Sequence, residues 1–403
     1  MLFYFFIGII ILIMDVRGGK MKIMHLGDLH IGKKVNGYSM IENQRDIFEQ
    51  IYSVISKKNI ETVLIAGDIY DRSVPSEESI QLLDDFLSHL INILSVNVIA
   101  ISGNHDSPAR LDFSRGILAK QGLHILGEYK KLVNKISINN FDFYLMPFVT
   151  PAVIRKKFET IIEERELVIS TYDDTMKFIT GEAVKNLNSD RVNIAIYHGF
   201  VIGSGDDEKE IEREESVKPL AIGGKESVAE KYFLDFDYTA LGHLHGNRKV
   251  KSERVRYSGS PIKYSFSEKN QKKSLTIIDI EKDKFDLEQV EIKDKYPMIE
   301  LRGTFSEIME ADVDRDAYLK ITLTESVLDA MNKLRSRYSQ VMELGIEIPA
   351  TDSIDKDHSS KEIHKIPADQ LFADLAGSVG IKIDEEEMKQ LRDVINEIKE
   401  VAH

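Results

Sequence analysis

Five short segments of this chain combine glycine with aspartate, histidine or asparagine. They are Gly27-Asp28-Leu29-His30, Gly67-Asp68-Ile69-Tyr70-Asp71, Gly103-Asn104-His105-Asp106, Tyr197-His198-Gly199 and Gly242-His243-Leu244-His245. Carboxylate, amide and imidazole side chains bind divalent cations. Two such cations held side by side can hydrolyse a phosphate ester. The five segments therefore predict a two-metal hydrolytic site.

The spacing within these segments favours metal binding over purely structural roles. Asp28 and His30 are two residues apart, as are His243 and His245, so both side chains of a pair can point to one side of an extended turn. The protein has 11 histidines, and five of them lie in these segments. Taken alone, His198 would be interpreted as an ordinary core histidine, but the ordered set favours a ligand.

The elements that must position the first three segments alternate between strands and helices. Residues 23–26, 62–66 and 97–101 are apolar runs typical of strands, and residues 41–55 and 77–94 have the apolar spacing of helices. This alternation predicts an α/β fold with a parallel sheet. Ligands of such sheets bind outside the carboxyl ends of the strands, where the first three segments fall.

The second half of the chain gives similar but weaker patterns. Residues 123–147 contain short strand-like runs broken by Asn139-Asn140, which predicts a meander, and residues 152–187 are predicted to be mostly helical. Residues 193–197 and 238–241 are predicted strands that lead into the last two segments. Two closing strands are expected within residues 273–292.

We expect four regions after the N-terminus. A catalytic domain would cover residues 21–295, a small α+β domain residues 296–350, a polar linker residues 351–365 and a helical segment residues 366–403. In the last region, apolar faces of two helices would either pack against the protein or bind a partner. Their residues are Leu371, Phe372 and Leu375 in one helix and Met388, Leu391, Ile395 and Ile398 in the other.

Composition limits the chemistry. The chain of 403 residues has a net charge of -14, a pattern that argues against tight, autonomous DNA binding but not against DNA as a substrate of a metal site. There is no cysteine, which excludes disulfides and thiolate metal sites. Residues 2–14 are almost wholly apolar but short for a bilayer span, and we expect Met21 to be the true start, with a signal peptide or membrane anchor as the alternatives.

The order of the five segments resembles that of the calcineurin-like metallophosphoesterases. A closer resemblance, to the SbcD family of nuclease subunits, is carried by Asp28-Leu29-His30-Ile31-Gly32, Gly67-Asp68-Ile69-Tyr70-Asp71 and Ser102-Gly103-Asn104-His105-Asp106-Ser107. It is also carried by His198-Gly199-Phe200 and Tyr257-Ser258-Gly259-Ser260-Pro261. This resemblance covers residues 21 to about 295 and extends less surely to the C-terminal regions. It implies a β-sandwich of mixed sheets flanked by helices, a small α+β DNA-capping domain and a helical C-terminal segment that binds the partner.

The resemblance also implies a role for each site residue. One metal would be held by Asp28, His30 and His245, the other by Asn104, His198 and His243, and Asp68 would bridge them. His105 would stabilise the transition state or protonate the leaving oxygen, with Asp71 orienting it, and Asp106 would be structural. The family implies two Mn²⁺ ions, although Mg²⁺, Fe²⁺ or Zn²⁺ would also suit these ligands.

Two positions depart from the family pattern. Asp71 stands where archaeal and eukaryotic relatives have a second histidine, which changes how a proton would be handled. Gly246-Asn247 stands where many SbcD proteins have Arg-Pro or a similar pair, which concerns local DNA contacts only. Cations that follow the segments could contact DNA phosphates, although each is singly more typical of a solvated surface; they are Lys33, Lys34, Arg72, Arg110, Arg115 and Lys263.

The function expected from this resemblance is a two-metal DNA nuclease. It would act as a 3′ to 5′ exonuclease on duplex ends and an endonuclease on single strands and hairpins, with an SbcC-type coiled-coil ATPase, in the cytoplasm and as a homodimer. The alternative is a metallophosphodiesterase for small phosphodiesters or cyclic nucleotides. A third hypothesis, a purely structural component of a repair complex, is disfavoured because every expected ligand is present.

Overall fold

The computed structural model describes most of the chain. Its described residues are 19–206, 226–282, 284–347, 369–370, 372–373, 384, 386–392 and 395. Two compact units are present, one formed by Met1–Leu323 with Val327–Gly345 and one by Thr324–Ser326 with Ile346–His403. Residues 1–18, the predicted linker, and Leu371, Leu375 and Ile398 lie outside the described residues, and the four-region division stays a prediction.

The strands of the described residues run from β1 to β19. They are β1 (Lys20–Leu26), β2 (Lys34–Val35), β3 (Tyr38–Ser39), β4 (Thr62–Ala66), β5 (Asn97–Ile101), β6 (Leu123–Leu126), β7 (Lys135–Ile138), β8 (Phe141–Met146), β9 (Val192–His198), β10 (Val201–Ile202), β11 (Val228–Ala229), β12 (Tyr238–Gly242), β13 (Arg248–Val250), β14 (Ser252–Tyr257), β15 (Ser274–Glu281), β16 (Lys284–Glu291), β17 (Met298–Gly303), β18 (Tyr318–Leu323) and β19 (Val341–Ile346).

The α-helices of the described residues are fewer and mostly short. They are α1 (Ile41–Lys58), α2 (Glu77–Ser88), α3 (Pro108–Leu111), α4 (Arg115–Leu118), α5 (Pro151–Lys157), α6 (Glu159–Glu164), α7 (Tyr172–Val184), α8 (Phe305–Glu310) and α9 (Ala330–Arg335). A π-helical turn (His89–Ile93) continues α2. Short 3-10 turns occur at Ala119–Gln121, Glu230–Phe233 and Phe266–Glu268.

Two six-stranded mixed sheets form the body of the first unit. The first sheet has the order β16-β15-β1-β4-β5-β6, in which β1, β4, β5 and β6 pair in parallel, β15 pairs antiparallel with β1, and β16 pairs antiparallel with β15. This confirms the α/β class predicted from the alternation of strands and helices. The carboxyl ends of β1, β4 and β5 therefore meet at one edge of the sheet.

The second sheet has the order β13-β14-β12-β9-β8-β7. Strands β14, β12, β9 and β8 are parallel, and β13 and β7 close the edges in antiparallel fashion. The predicted meander over residues 123–147 is wrong. The β6 strand pairs with β5 in the first sheet, and only β7 and β8 form a hairpin, at Asn139 in its left-handed conformation.

The two sheets pack face to face because alternate residues of their inner strands are apolar. Ile23 of β1, Leu64 of β4 and Ile194 of β9 are fully buried in this shared layer. The outer face of the first sheet packs on α1 and α2, and the outer face of the second on α7. The result is four layers, in which both sheets present the ends of parallel strands to solvent.

The first two helices confirm the sequence predictions closely. Helix α1 covers the predicted range with three further residues, and it buries Ile47, Phe48 and Ile51 at helical spacing against the first sheet. Ser76 caps α2 by accepting a hydrogen bond from the backbone of Ser79.

A third, three-stranded sheet has the order β17-β18-β19. One of its faces packs on α8 and α9 through residues such as Leu319, Ile321 and Leu334. On its other side, Tyr318 and Met342 belong to the same apolar cluster as the outer face of the first sheet. The helix that follows β18 in this region is α9, which has six residues.

The described part of the second unit is small. Residues 386–392 are helical, as predicted for the tail, and Arg392 donates to Asp369 at 2.8 Å. Among the described residues, no helix has the length and apolar character that a membrane crossing requires.

Candidate metal centre

Three of the predicted ligands lie in tight turns that follow β1 and β4. Asp28, His30 and Asp68 have positive φ angles of 53°, 41° and 47°. The turns hold each other, because the backbone of Asp28 donates to Gly67 O at 3.1 Å and that of His30 to Asp68 O at 2.9 Å. Such a conformation costs non-glycine residues of order 1–3 kcal/mol each and is common where side chains are aimed at a site.

Glycines allow these turns to approach the second sheet. A Cβ atom on Gly67 would lie 2.3 Å from His198 Nδ1, and one on Gly103 would lie 2.1 Å from Asp68 Oδ1. A Cβ on Gly242 would lie 1.8 Å from Ala66 O. Each of these glycines is therefore required for a close contact between the segments.

Asp106 joins two of the segments. Its buried carboxylate accepts hydrogen bonds from the backbones of Ile69 at 3.1 Å, Tyr70 at 2.9 Å and Gly103 at 2.9 Å. Burial and the charge of Asp68 nevertheless raise its pKa to about 7. These contacts agree with the structural role expected for Asp106.

Asp28, His30 and His245 form a first donor group. Their ligand atoms, one from each residue, lie within 4.8 Å of one another. His30 Nε2 and His245 Nε2 are 3.1 Å apart. The Asp28 carboxylate is fully buried and also accepts the backbone N–H of His243 at 3.0 Å.

Asn104, His198 and His243 form a second donor group. The Oδ1 atom of Asn104 is 2.9 Å from His198 Nε2 and 3.2 Å from His243 Nδ1. His198 Nδ1 is 2.8 Å from the carbonyl oxygen of Ala66. That contact places the proton on Nδ1 and leaves the lone pair of Nε2 for a cation.

Asp68 lies between the two donor groups. Its Oδ2 atom is 3.6 Å from His30 Nε2 and 3.6 Å from His198 Nε2. Its Oδ1 atom accepts the backbone N–H of His105 at 2.9 Å. One carboxylate is thus equidistant from a histidine of each group.

The donor set fits a pair of divalent cations. The ring nitrogens that face the donor groups are His30 Nε2 and His243 Nδ1, while the opposite nitrogens of these rings are buried and have no hydrogen-bonding partner among the described residues. The buried carboxylates of Asp28 and Asp68 converge with the imidazoles of both donor groups. Bound cations would stabilise such a cluster, because they compensate the buried negative charge and accept the imidazole lone pairs.

Burial keeps the imidazoles of this site neutral. Burial and the neighbouring His245 hold the pKa of His30 well below its usual range, and burial and the neighbouring His198 lower the pKa of His243 to about 3. Burial also lowers the pKa of His198. The neutral form is the one that binds metal ions, so these nitrogens are available near neutral pH.

His105 lies at the solvent-exposed side of the donor groups. Its ring centroid is 4.8 Å from that of His30, and its Nδ1 atom is 2.9 Å from the carbonyl oxygen of Asp71. The sequence prediction had the side chain of Asp71 orient His105, whereas the contact is made by the backbone. The Asp71 carboxylate instead accepts from Lys33 at 2.8 Å and lies 3.7 Å from His30 Nδ1.

The six cations suggested for DNA contact differ in their surroundings. Lys34, Arg72 and Arg110 are exposed. Four of the six have acidic neighbours, since Lys33 bonds Asp71, Arg72 lies 3.6 Å from the same carboxylate, Arg115 lies 4.0 Å from Asp112, and Lys263 is 3.1 Å from Asp294. The Lys263 side chain is only 16% exposed, so of these residues it is the least accessible to a phosphate.

Two buried residues near the site were missed by sequence reasoning. Glu268 Oε1 lies 3.0 Å from His245 Nδ1, and Lys273 donates to the other carboxylate oxygen of Glu268 at 2.7 Å. Burial raises the pKa of Glu268, but its contacts with His245 and Lys273 outweigh that effect and lower the pKa to about 2. Glu268 and Lys273 lie outside the five segments of the sequence analysis. The signal in the sequence that could have indicated them is their position shortly after the Tyr257–Pro261 segment.

Gln44 and Tyr264 also support the first turn. The side-chain amide of Gln44 donates to His30 O at 2.8 Å, and the hydroxyl of Tyr264 donates to Leu29 O. Since both carbonyls belong to the left-handed turn, these bonds offset part of its strain.

The sequence matches known proteins over most of its length. The profile of the calcineurin-like phosphoesterase family matches residues 21–247. The SbcD subunit of the nuclease SbcCD from Staphylococcus epidermidis is 31% identical over 330 residues, which are 80% of this chain and 85% of that protein. The SbcD protein of Staphylococcus saprophyticus is 31% identical over 329 residues, which are 80% of this chain and 84% of that protein.

Solved structures show more distant similarity. A dimetal phosphatase from Danio rerio aligns with a TM-score of 0.38 and 12% sequence identity, covering 68% of this chain and 98% of that one.

Proposed function

We propose a two-metal DNA nuclease activity for this chain, which belongs to the calcineurin-like phosphoesterase family and is a homologue of the SbcD nuclease subunits. The observation that carries the proposal is the meeting of six donor side chains from both sheets around Asp68, itself the seventh donor. The similarity to two SbcD proteins over 80% of the chain points to DNA as the substrate.

The first donor group would hold one metal ion and the second donor group the other, with Asp68 bridging. Its two equal distances of 3.6 Å to His30 and His198 support this assignment. Two ions held by these residues would supply the positive charge that activates a water molecule and stabilises the attacking and leaving oxygens of a phosphodiester. We propose Mn²⁺ as the ion, on the strength of the family resemblance; the nitrogen and oxygen donors also suit Mg²⁺, Fe²⁺ and Zn²⁺.

His105 would stabilise the transition state or protonate the leaving oxygen. The carbonyl oxygen of Asp71 accepts the Nδ1 proton, which directs Nε2 away from that backbone. The exposure of His105 supports contact with a large substrate. The Asp71 side chain would act on Lys33 and His30 rather than on His105.

DNA phosphates would be held by the exposed cations around the site. Lys34, Arg72 and Arg110 are the best placed by accessibility, and Lys33, Arg72 and Arg115 would have to share their charge with an acidic neighbour. Lys263 would contribute least.

We also propose a protein partner and a cellular location for this chain. The chain would work with an SbcC-type ATPase in the cytoplasm, in DNA repair, recombination and replication, and the C-terminal residues after 366 would bind that ATPase.

A homodimer would form through an apolar groove of about 900 Å³ between α2 and the α3–α4 segment. Exposed Ile80 and Phe113 line this groove, and Ile117 is exposed beside it, which supports burial against a second copy.

The test is Mn²⁺-dependent degradation of end-labelled linear duplex DNA by the full chain. A small phosphodiester runs in parallel, and His105→Ala protein purified in the same way controls for contaminating nucleases. Cleavage of DNA by the wild type alone supports the proposal, and release of 3′ or 5′ label gives the polarity. Turnover of the small ester without DNA cleavage, even when the ATPase partner is added, would favour the small-molecule phosphodiesterase.

A further inference from the structure

Among the described residues, His245 is the one histidine of the donor groups that has a carboxylate within hydrogen-bond distance of the ring nitrogen opposite its metal-facing nitrogen. The Oε1 atom of Glu268 lies 3.0 Å from His245 Nδ1. His198 has a backbone carbonyl at this position, His243 Nε2 has no hydrogen-bonding partner among the described residues, and the nearest carboxylate oxygen to His30 Nδ1 is 3.7 Å away. A carboxylate on one imidazole nitrogen fixes the tautomer and strengthens the other nitrogen as a metal donor.

Lys273 fixes both ends of this contact. Its ammonium group donates to Glu268 Oε2 at 2.7 Å and to the backbone carbonyl of His245 at 2.9 Å. It also donates to Ser260 Oγ at 2.9 Å and Gln271 Oε1 at 2.8 Å. One buried cation therefore holds the backbone of His245 and the carboxylate that holds its ring.

Both charged groups are almost fully buried. Glu268 is 2% exposed and Lys273 is 5% exposed. A buried ion pair contributes little net stability compared with apolar side chains of the same size, since both charges lose their hydration. The pair is therefore better explained by the position of His245 than by stability alone.

We propose that Glu268 and Lys273 are a positioning pair that sets the orientation and donor strength of His245 toward the ion of the first donor group. This inference rests on the proposed two-metal site. Both residues lie beyond residue 247, where the match to the family profile ends.

Only the ion of the first donor group should depend on Glu268 for its affinity. Replacing Glu268 by glutamine keeps the size of the side chain but removes its charge. Affinity for one of two Mn²⁺ ions should fall by about 10- to 100-fold, the usual effect of losing a partner of a metal-binding histidine. Affinity for the other ion should stay unchanged.

The experiment is calorimetric titration of the metal-free full chain with Mn²⁺, together with the EPR spectrum at saturating metal. The wild type should bind two ions and show an exchange-coupled pair. Glu268→Gln should show one tight and one weakened ion, with the signal of an isolated Mn²⁺ at intermediate metal. The thermal unfolding midpoint of each metal-free protein is measured alongside.

Asp142→Asn is the matched control. Asp142 is 1% exposed and paired with Lys135 at 3.0 Å and Arg191 at 2.8 Å, so its substitution also removes the charge of a buried carboxylate from an ion pair, but in the second sheet at β8. This variant should unfold at a lower temperature and bind both ions normally.

Two outcomes overturn the inference in different ways. If Glu268→Gln binds both ions like the wild type and only its unfolding midpoint falls, Glu268 is a structural residue and the two-metal proposal is untouched. If the wild type itself binds fewer than two ions, the two-metal proposal fails and the inference fails with it.

Discussion

The two sheets supply the two halves of the metal centre by different means. The first sheet contributes Asp28, His30, Asp68 and Asn104 from turns that follow β1, β4 and β5. Three of these residues are aimed by their own left-handed backbone. The second sheet contributes the remaining histidines. His243 also has a positive φ angle, of 115°, whereas partners distant in sequence hold the other two, Ala66 for His198 and Glu268 for His245.

The difference teaches which positions should be sensitive to which changes. Among the ligands of the first sheet, adding a Cβ atom at a neighbouring glycine should displace a ligand, because the conformation of the turns directs the side chains. In the second half, a change in a distant partner should alter one histidine and leave the others. Asp68 belongs to the first half but faces both, so its loss should affect the whole centre.

Asp68→Asn should have the largest effect. Both ions would lose their shared carboxylate, and DNA cleavage should fall by about 10⁴-fold or more since each ion supplies several kcal/mol of charge stabilisation. Metal content after dialysis and nuclease activity would be measured together. Retention of two ions with normal cleavage would show that Asp68 does not bridge.

His105→Ala should lower the rate of cleavage by about 10²- to 10⁴-fold, the usual contribution of a proton donor. Both ions should remain bound, because His105 belongs to neither donor group. Metal stoichiometry and cleavage at saturating Mn²⁺ check this, and loss of both ions would contradict the role assigned to His105.

Gly103→Ala tests whether the close approach of the turns in the first sheet determines where its ligands lie. The new Cβ atom would lie 2.1 Å from Asp68 Oδ1, so the bridging side chain must move, and a shift of about 1 Å can reduce cleavage by about 10²-fold. Gly116→Ala is the matched control, since a Cβ there meets nothing within 4 Å. Its position in helix α4 predicts unchanged cleavage and up to about 1 kcal/mol of added stability. Equal activity of the two variants would refute the argument.

His25 links the two sheets and should give the smallest effect, on pH dependence. Its Nδ1 atom is 2.9 Å from Tyr238 Oη and its Nε2 atom is 3.2 Å from Leu241 O. Burial, with the charge of Arg256, lowers the pKa of His25 to about 3. Below the usual histidine pKa of about 6.5 the unfolded chain binds a proton that the folded chain excludes, so stability falls as pH decreases toward 3.

The comparison of wild type with His25→Gln isolates this contribution. The amide of glutamine can make both hydrogen bonds without titrating. Between pH 6.5 and 4, the metal-free wild type should lose up to about 1.4 kcal/mol of unfolding free energy per pH unit more than the variant does. Denaturant unfolding at several pH values would measure this, and parallel curves would show that His25 does not carry the effect.

Much of the fold followed from local patterns. Strands β4 and β5 agree with the predicted ranges, and helix α1 begins at the predicted residue, because their apolar spacing is strong. The position of β6 in the first sheet was not predicted, because the sequence of a short strand does not indicate which sheet it joins.

The site divides in the same way. The residue types and spacing of the five segments determined which side chains could bind metal, because parallel strands bring their carboxyl ends to one edge whatever the rest of the chain does. Only the tertiary structure decided that the backbone of Asp71, and not its carboxylate, meets His105, and that Asp294 lies beside Lys263. It also decided that Glu268 and Lys273 hold His245. The spacing of residues within one segment determines which of its side chains can point to the same side. Contacts between residues far apart in sequence depend on how the sheets and helices pack.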